Sequence, residues 1–138
     1  MRVVVDTNVL VAALRTRSGA SFRIVEEIDR GQVQAVISVP LMMEYEEVLK
    51  RAGVLPHVSA ADVDVFLDRL MACSVEQRIF FLWRPFLCDA DDDMLVEVAL
   101  ASGTEYIITS NIRDFAPAAA LGVRAMTPRD FLPLLPGP

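Results

Sequence analysis

The sequence predicts an α/β fold of three layers, α/β/α, around a central parallel sheet of about four to five strands. Two observations carry that expectation. Short runs of β-branched residues such as Val3-Val4-Val5 suit strands covered on both faces. They alternate with longer segments whose apolar residues recur at helical spacing, the pattern of a parallel sheet with helical crossovers.

Each element has a local reason. The first strand ends at Asp6, and Val9 to Leu14 reads as a helix. A polar loop from Arg15 to Ala20 follows, and Ser21 is expected to cap a helix carrying Phe22, Val25 and Ile28 on one face. Val33 to Ser38 is the second strand. Ser38 and Pro40 open the next helix, since proline loses nothing in a first turn. That helix sets Leu41, Met42, Tyr45, Val48 and Leu49 on one side and ends near Gly53. Ser59 caps another, with Val63, Phe66, Leu67 and Leu70 as its stripe. Val75 to Cys88 reads as a strand and a loop interrupted by Pro85. A helix over Asp91 to Ser102, a strand over Tyr106 to Thr109, a loop, a short strand over Val123 to Met126 and a last helix over Pro128 to Leu134 complete the chain. Strand order is not dictated by this pattern.

With 138 residues, 54% hydrophobic and 23% charged, the composition is globular and fits a single domain over 1–138. Cys73 and Cys88 match no metal or redox spacing and read as small buried apolar residues of a cytoplasmic protein. No run approaches the ~18 apolar residues of a membrane span. Net charge is 13 − 19 = −6, unusual for a nucleic-acid binder. Carboxylates gathered around a metal would lower net charge without repelling a phosphate.

Acidic residues recur where strands end and helices begin, the region in which open α/β sheets place their sites. Asp6 ends the first strand, Glu44 lies early in the helix after the second, and Asp89, Asp91, Asp92 and Asp93 crowd a later helix start. Asp114 follows Thr109-Ser-Asn111. Singly, each has an ordinary explanation as a cap, a turn residue or a solvated helix face. Glu44 is preferred over Glu46 and Glu47 because it borders the apolar stripe nearest the helix start. Together, such carboxylates repel one another unless a cation joins them. Mg²⁺ and Mn²⁺ favour oxygen ligands, and with phosphate completing the shell they suit phosphodiester hydrolysis.

Four segments resemble the PIN-domain nucleases, and among them the VapC-like toxins of bacterial toxin–antitoxin pairs. They are Val5-Asp-Thr-Asn-Val9, Ser38-Val-Pro-Leu-Met-Met-Glu-Tyr45, Asp92-Asp-Met-Leu-Val-Glu-Val-Ala99 and Ile108-Thr-Ser-Asn-Ile-Arg-Asp-Phe115. The resemblance implies a PIN-like fold and an Mg²⁺- or Mn²⁺-dependent endoribonuclease acting on RNA, commonly a homodimer silenced by a small antitoxin. By position it implies Asp6, Glu44, Asp93 and Asp114 as catalytic acids, with Asp92 competing with Asp93 for the metal. Thr7, Asn8 and Thr109 would steady the site. Asn111 stands where many members carry Asp, so the fourth charge has to come from Asp114.

Arg15, Arg17 and Arg113 are candidate phosphate contacts, with an ordinary solvated loop as the alternative for the first two. The aromatic run Ile79 to Phe86 reads as a buried strand or dimer contact before a base-stacking surface. His57, the only histidine, has no expected role. Haloacid-dehalogenase chemistry wants a second acid where Asn8 stands, and a response-regulator receiver wants a late lysine where Lys50 is too early. No glycine-rich phosphate loop is present. A PIN fold kept as an RNA- or protein-binding module is the non-enzymatic alternative, favoured by Asn111 alone.

Overall fold

The computed structural model describes residues 1–79, 87 and 90–135. Five strands form one parallel sheet: β1 (Arg2–Val5), β2 (Gln34–Ile37), β3 (Ser74–Glu76), β4 (Tyr106–Ile108) and β5 (Arg124–Met126). Their order across the sheet is β3-β2-β1-β4-β5. The chain therefore starts at the centre, grows outward to β3, then crosses back to β4 on the other side of β1.

Helices α1 (Thr7–Arg15) and α2 (Ala20–Asp29) connect β1 to β2, and α3 (Val39–Leu49) and α4 (Ala60–Ala72) connect β2 to β3. Helix α5 (Ala90–Ser102) leads into β4. Parallel crossovers are right-handed, so reversing the direction of growth moves the intervening helix to the opposite face. Helix α5 accordingly lies across β1, β2 and β4, while α1 packs with α2 and α3. This is the expected three-layer architecture. A 3₁₀ segment (Ile112–Leu121) precedes β5, and α6 (Pro128–Phe131) and a 3₁₀ turn (Leu132–Leu134) end the described chain.

Local chemistry explains most boundaries. The Leu41 amide donates to Ser38 Oγ at 3.2 Å and the Asp62 amide to Ser59 Oγ at 3.1 Å, so both expected caps form. Ser21 does not cap α2; Gly19 holds that position and Ser21 lies within the first turn. The stretch before β5, expected as a loop, winds as 3₁₀ helix despite Pro117. Gly122 closes it in the left-handed region, at φ +83°. Cys73 is half-buried at the end of α4, not buried as expected. Cys88 and all of the aromatic run after Ile79 lie outside the described residues. Among the described residues no helix is long and apolar enough to cross a membrane.

The core fills both faces of the sheet with Val3, Val4, Val36, Ile107 and Ile108 against Leu10, Ile24, Val96 and Phe115. Phe131, buried, meets Tyr106 edge-on at 5.6 Å. Tyr45 reaches from α3 into this core and donates its hydroxyl to the Val5 carbonyl. The β1–β2 pairing runs only to Val3–Ala35, so Tyr45 holds the last turn of β1 where β2 no longer does. Burial pushes the Tyr45 phenol up, with the Asp6 charge adding to it, so the hydroxyl stays a donor. Tyr45→Phe leaves a buried carbonyl without that donor and should cost about 1–3 kcal/mol of unfolding free energy in a urea titration.

Candidate active site

Asp6 follows the last residue of β1, and its amide donates to the Ile108 carbonyl at 2.8 Å, extending the β1–β4 ladder by one bond. It is the N-cap residue of α1, yet its side chain makes no cap hydrogen bond. Capping alone therefore does not account for the aspartate, although the Thr7 and Asn8 backbone faces its carboxyl. Its Oδ2 instead accepts from the buried Thr109 hydroxyl at 2.7 Å and from Asn8 Nδ2 at 3.2 Å. Both side-chain donors land on one oxygen. Thr109 Oγ1 in turn accepts the Asn111 amide at 3.0 Å, and Asn8 Oδ1 accepts the Ser110 amide at 3.3 Å. The ends of β1 and β4 are thus stitched together around one carboxylate.

A cavity of about 200 Å³ opens beside it. Asp6, Glu44, Asp91, Asp92, Asn111 and Asp114 line it, and Thr7, Asn8, Leu41 and Leu95 complete the wall. On α3, Leu41 and Glu44 are one turn apart and share that face. Glu44 is half-buried, whereas Glu46 and Glu47 are exposed and pair with Lys50 at 3.8 Å and Arg51 at 3.0 Å. On the 3₁₀ segment, the Asp114 amide bonds to the Asn111 carbonyl at 3.1 Å. A 3₁₀ turn eclipses positions three apart, which explains why Asn111 and Asp114 both face the cavity.

The acids at the start of α5 divide by helical phase. Asp91, Asp92 and Leu95 line the cavity. Asp93 does not; it is 1% exposed and its Oδ1 accepts the Leu87 amide at 2.6 Å. Sequence reading ranked Asp93 first and did not single out Asp91. Arg15, Arg17 and Arg113 stand outside this cavity. Arg15 donates twice to the Val54 carbonyl, at 2.9 and 3.1 Å, while Arg17 and Arg113 are exposed. His57 is exposed in a turn.

Burial raises two of the cavity carboxyls, and neighbouring acids add to one of them. Burial pushes the Asp6 carboxyl above its ordinary range, opposed first by the Thr109 hydroxyl and then by the Asn8 and Thr7 backbone and the Asn8 amide. Glu44 is also raised, by burial first and then by the charge of Asp91, with Glu47 and Asp6 adding to it and Arg51 opposing. The donor set is all hard oxygen, which suits Mg²⁺ or Mn²⁺ and not a thiolate- or imidazole-seeking metal. Among the described residues no three His, Cys, Asp or Glu side chains are drawn together as a ready ligand set. A hard divalent ion that keeps several of its waters does not need one, and about 200 Å³ leaves room for them.

The sequence model of the PIN domain family matches residues 2–113, most of the chain. The chain belongs to the PIN domain family. Comparison with curated proteins and with solved structures gave no match. PIN domains are generally nucleases that use divalent metal ions, so the acidic cavity lies on a nuclease fold. The match contains Asp6, Glu44, Asp91, Asp92, Thr109 and Asn111, and Asp114 falls one residue beyond it.

A carboxyl raised in the folded state favours folding fully below its unfolded pKa and loses that contribution as pH rises through the folded value. Asp6→Asn should therefore melt higher than the wild type at pH 7 without metal, and the gap should close as pH falls toward 4. An added divalent ion should raise the wild-type midpoint more than the variant's. Equal pH profiles for the two proteins would remove the case for strain at Asp6.

Proposed function

We propose that the chain is an Mg²⁺- or Mn²⁺-dependent endoribonuclease that hydrolyses RNA phosphodiester bonds. The observation that carries this reading is the convergence of Asp6, Glu44, Asp91, Asp92 and Asp114 on one small cavity. Asp6, with Asp92 or Asp114 and the ion's own waters, would hold the ion, with Asp91 beside them. When bound, such an ion supplies a water of lowered pKa and a counter-charge for the phosphate. Thr109 and Asn8 fix Asp6 by its Oδ2, so its orientation is set before substrate arrives. Glu44, with a raised carboxyl at the cavity wall, is suited to take the proton of an attacking water. Asp93 supports the site from below by holding the Leu87 amide.

Cleavage of defined RNAs should appear with Mn²⁺ and vanish in chelator. Asp6→Asn and Asp92→Asn should each lower kcat by at least about 100-fold while leaving a folded protein. Asp93→Asn should instead lower the melting midpoint. Wild-type rates in Asp6→Asn would overturn the assignment. Asn111, in a place where a carboxylate is expected, favours a second reading, a PIN fold kept as a binding module; RNA binding with no cleavage at any metal concentration would select it.

Within the nuclease reading, the likeness of four segments to VapC-like toxins supports a toxin silenced by a small antitoxin and acting as a homodimer in the cytoplasm. Induction of the wild type should then arrest growth, Asp6→Asn should not, and a short gene beside its own should relieve the arrest. Growth unaffected by induction would leave an RNA-processing nuclease without an antitoxin.

A further inference from the structure

Beside the acidic cavity runs a groove of about 620 Å³ between α1, the start of α2 and the start of α6. Asn8 lines both, so the groove and the site share a wall, and Ser110 lies on the groove's side. Among the described residues two cations line it, Arg15 and Arg129, and no carboxylate does. In a chain of net charge −6 that is a marked local excess. Five cations on other faces sit against acids: Arg23 and Arg30 with Glu27, Lys50 with Asp64, Arg51 with Glu47 and Arg69 with Asp29. Arg15 is held by a neutral carbonyl, that of Val54, which fixes its guanidinium without neutralising it. Arg129 is exposed in α6 and lies outside the residues matched by the PIN domain family.

We infer that this groove is the track of a single-stranded RNA backbone leaving the acidic site, with Arg15 and Arg129 on phosphates flanking the scissile one. The inference rests on the nuclease reading and adds the path of the substrate to it. Cations in a groove next to an acidic centre draw the polyanion toward it without competing for the metal-binding oxygens. The wall of Ala12, Thr16, Gly19, Ala20 and Ser21 presents small side chains that let a flexible backbone approach.

The test is fluorescence anisotropy of a short labelled oligoribonucleotide in chelator, across a salt series, for the wild type, Arg15→Gln, Arg129→Gln, the double variant and Arg2→Gln. Arg2 serves as control because it lies at the opposite end of β1 from Asp6. Each groove variant should weaken binding roughly threefold, and the double variant should lower the salt slope by about 1.4, two single-strand phosphate contacts. Arg2→Gln should change neither. Under Mn²⁺, the groove variants should raise KM and leave kcat. Groove variants that bind like the wild type, or a wild type that does not bind, overturn the groove. Binding needs no cleavage, so an inactive wild type with intact Arg129 dependence would sink the nuclease reading alone.

Discussion

A parallel sheet that reverses its direction of growth leaves a gap at the reversal, because the helices after the two neighbouring strands depart on opposite faces. In this chain the reversal falls between β1 and β4, and everything chemical gathers there. What keeps the gap in shape is the Thr109 hydroxyl, which joins the end of one strand to the carboxylate at the end of the other across 103 residues of sequence. Tyr45 performs a related task from the third side by holding the Val5 carbonyl. The position of Asp6 is therefore set from β4 and α3 as well as by Asn8 of its own helix.

That arrangement keeps unfavourable electrostatics in a confined place. Asp6 and Glu44 are both raised by burial, and neighbouring acids add to the strain on Glu44. Away from the cavity, Glu46, Glu47 and Asp64 on α3 and α4 are partnered by Lys50 and Arg51. The acidic net charge thus says little about the surface near the site. The groove on the other side of Asn8, lined by Arg15 and Arg129 and by no carboxylate among the described residues, carries the opposite sign.

The strands and most helices were legible in the sequence because their signals are local. Ser38 and Ser59 cap as serine before an apolar helix should, and the β-branched runs pair as strands. The 3₁₀ segment was hidden by its own composition, since the small residues around Pro117 give no apolar stripe. Which acids of α5 line the cavity was not legible, for a geometric reason. Successive helical residues differ by about 100° in direction, so a one-residue uncertainty in phase exchanges a cavity-lining Asp92 for a buried Asp93. Arg129 carried no signal at all: its groove is assembled from segments more than a hundred residues apart in the chain.

The turn over Asn111 and Asp114 has a consequence for how such sites vary. Positions three apart on a 3₁₀ turn lie over one another, so a negative charge can be transferred between them while its place in space changes little. A family pattern that marks one column of an alignment for the fourth acid will then miss a chain that carries the same charge one turn on. What is preserved in such a case is a location in the cavity, and the letter at any single position is free to drift.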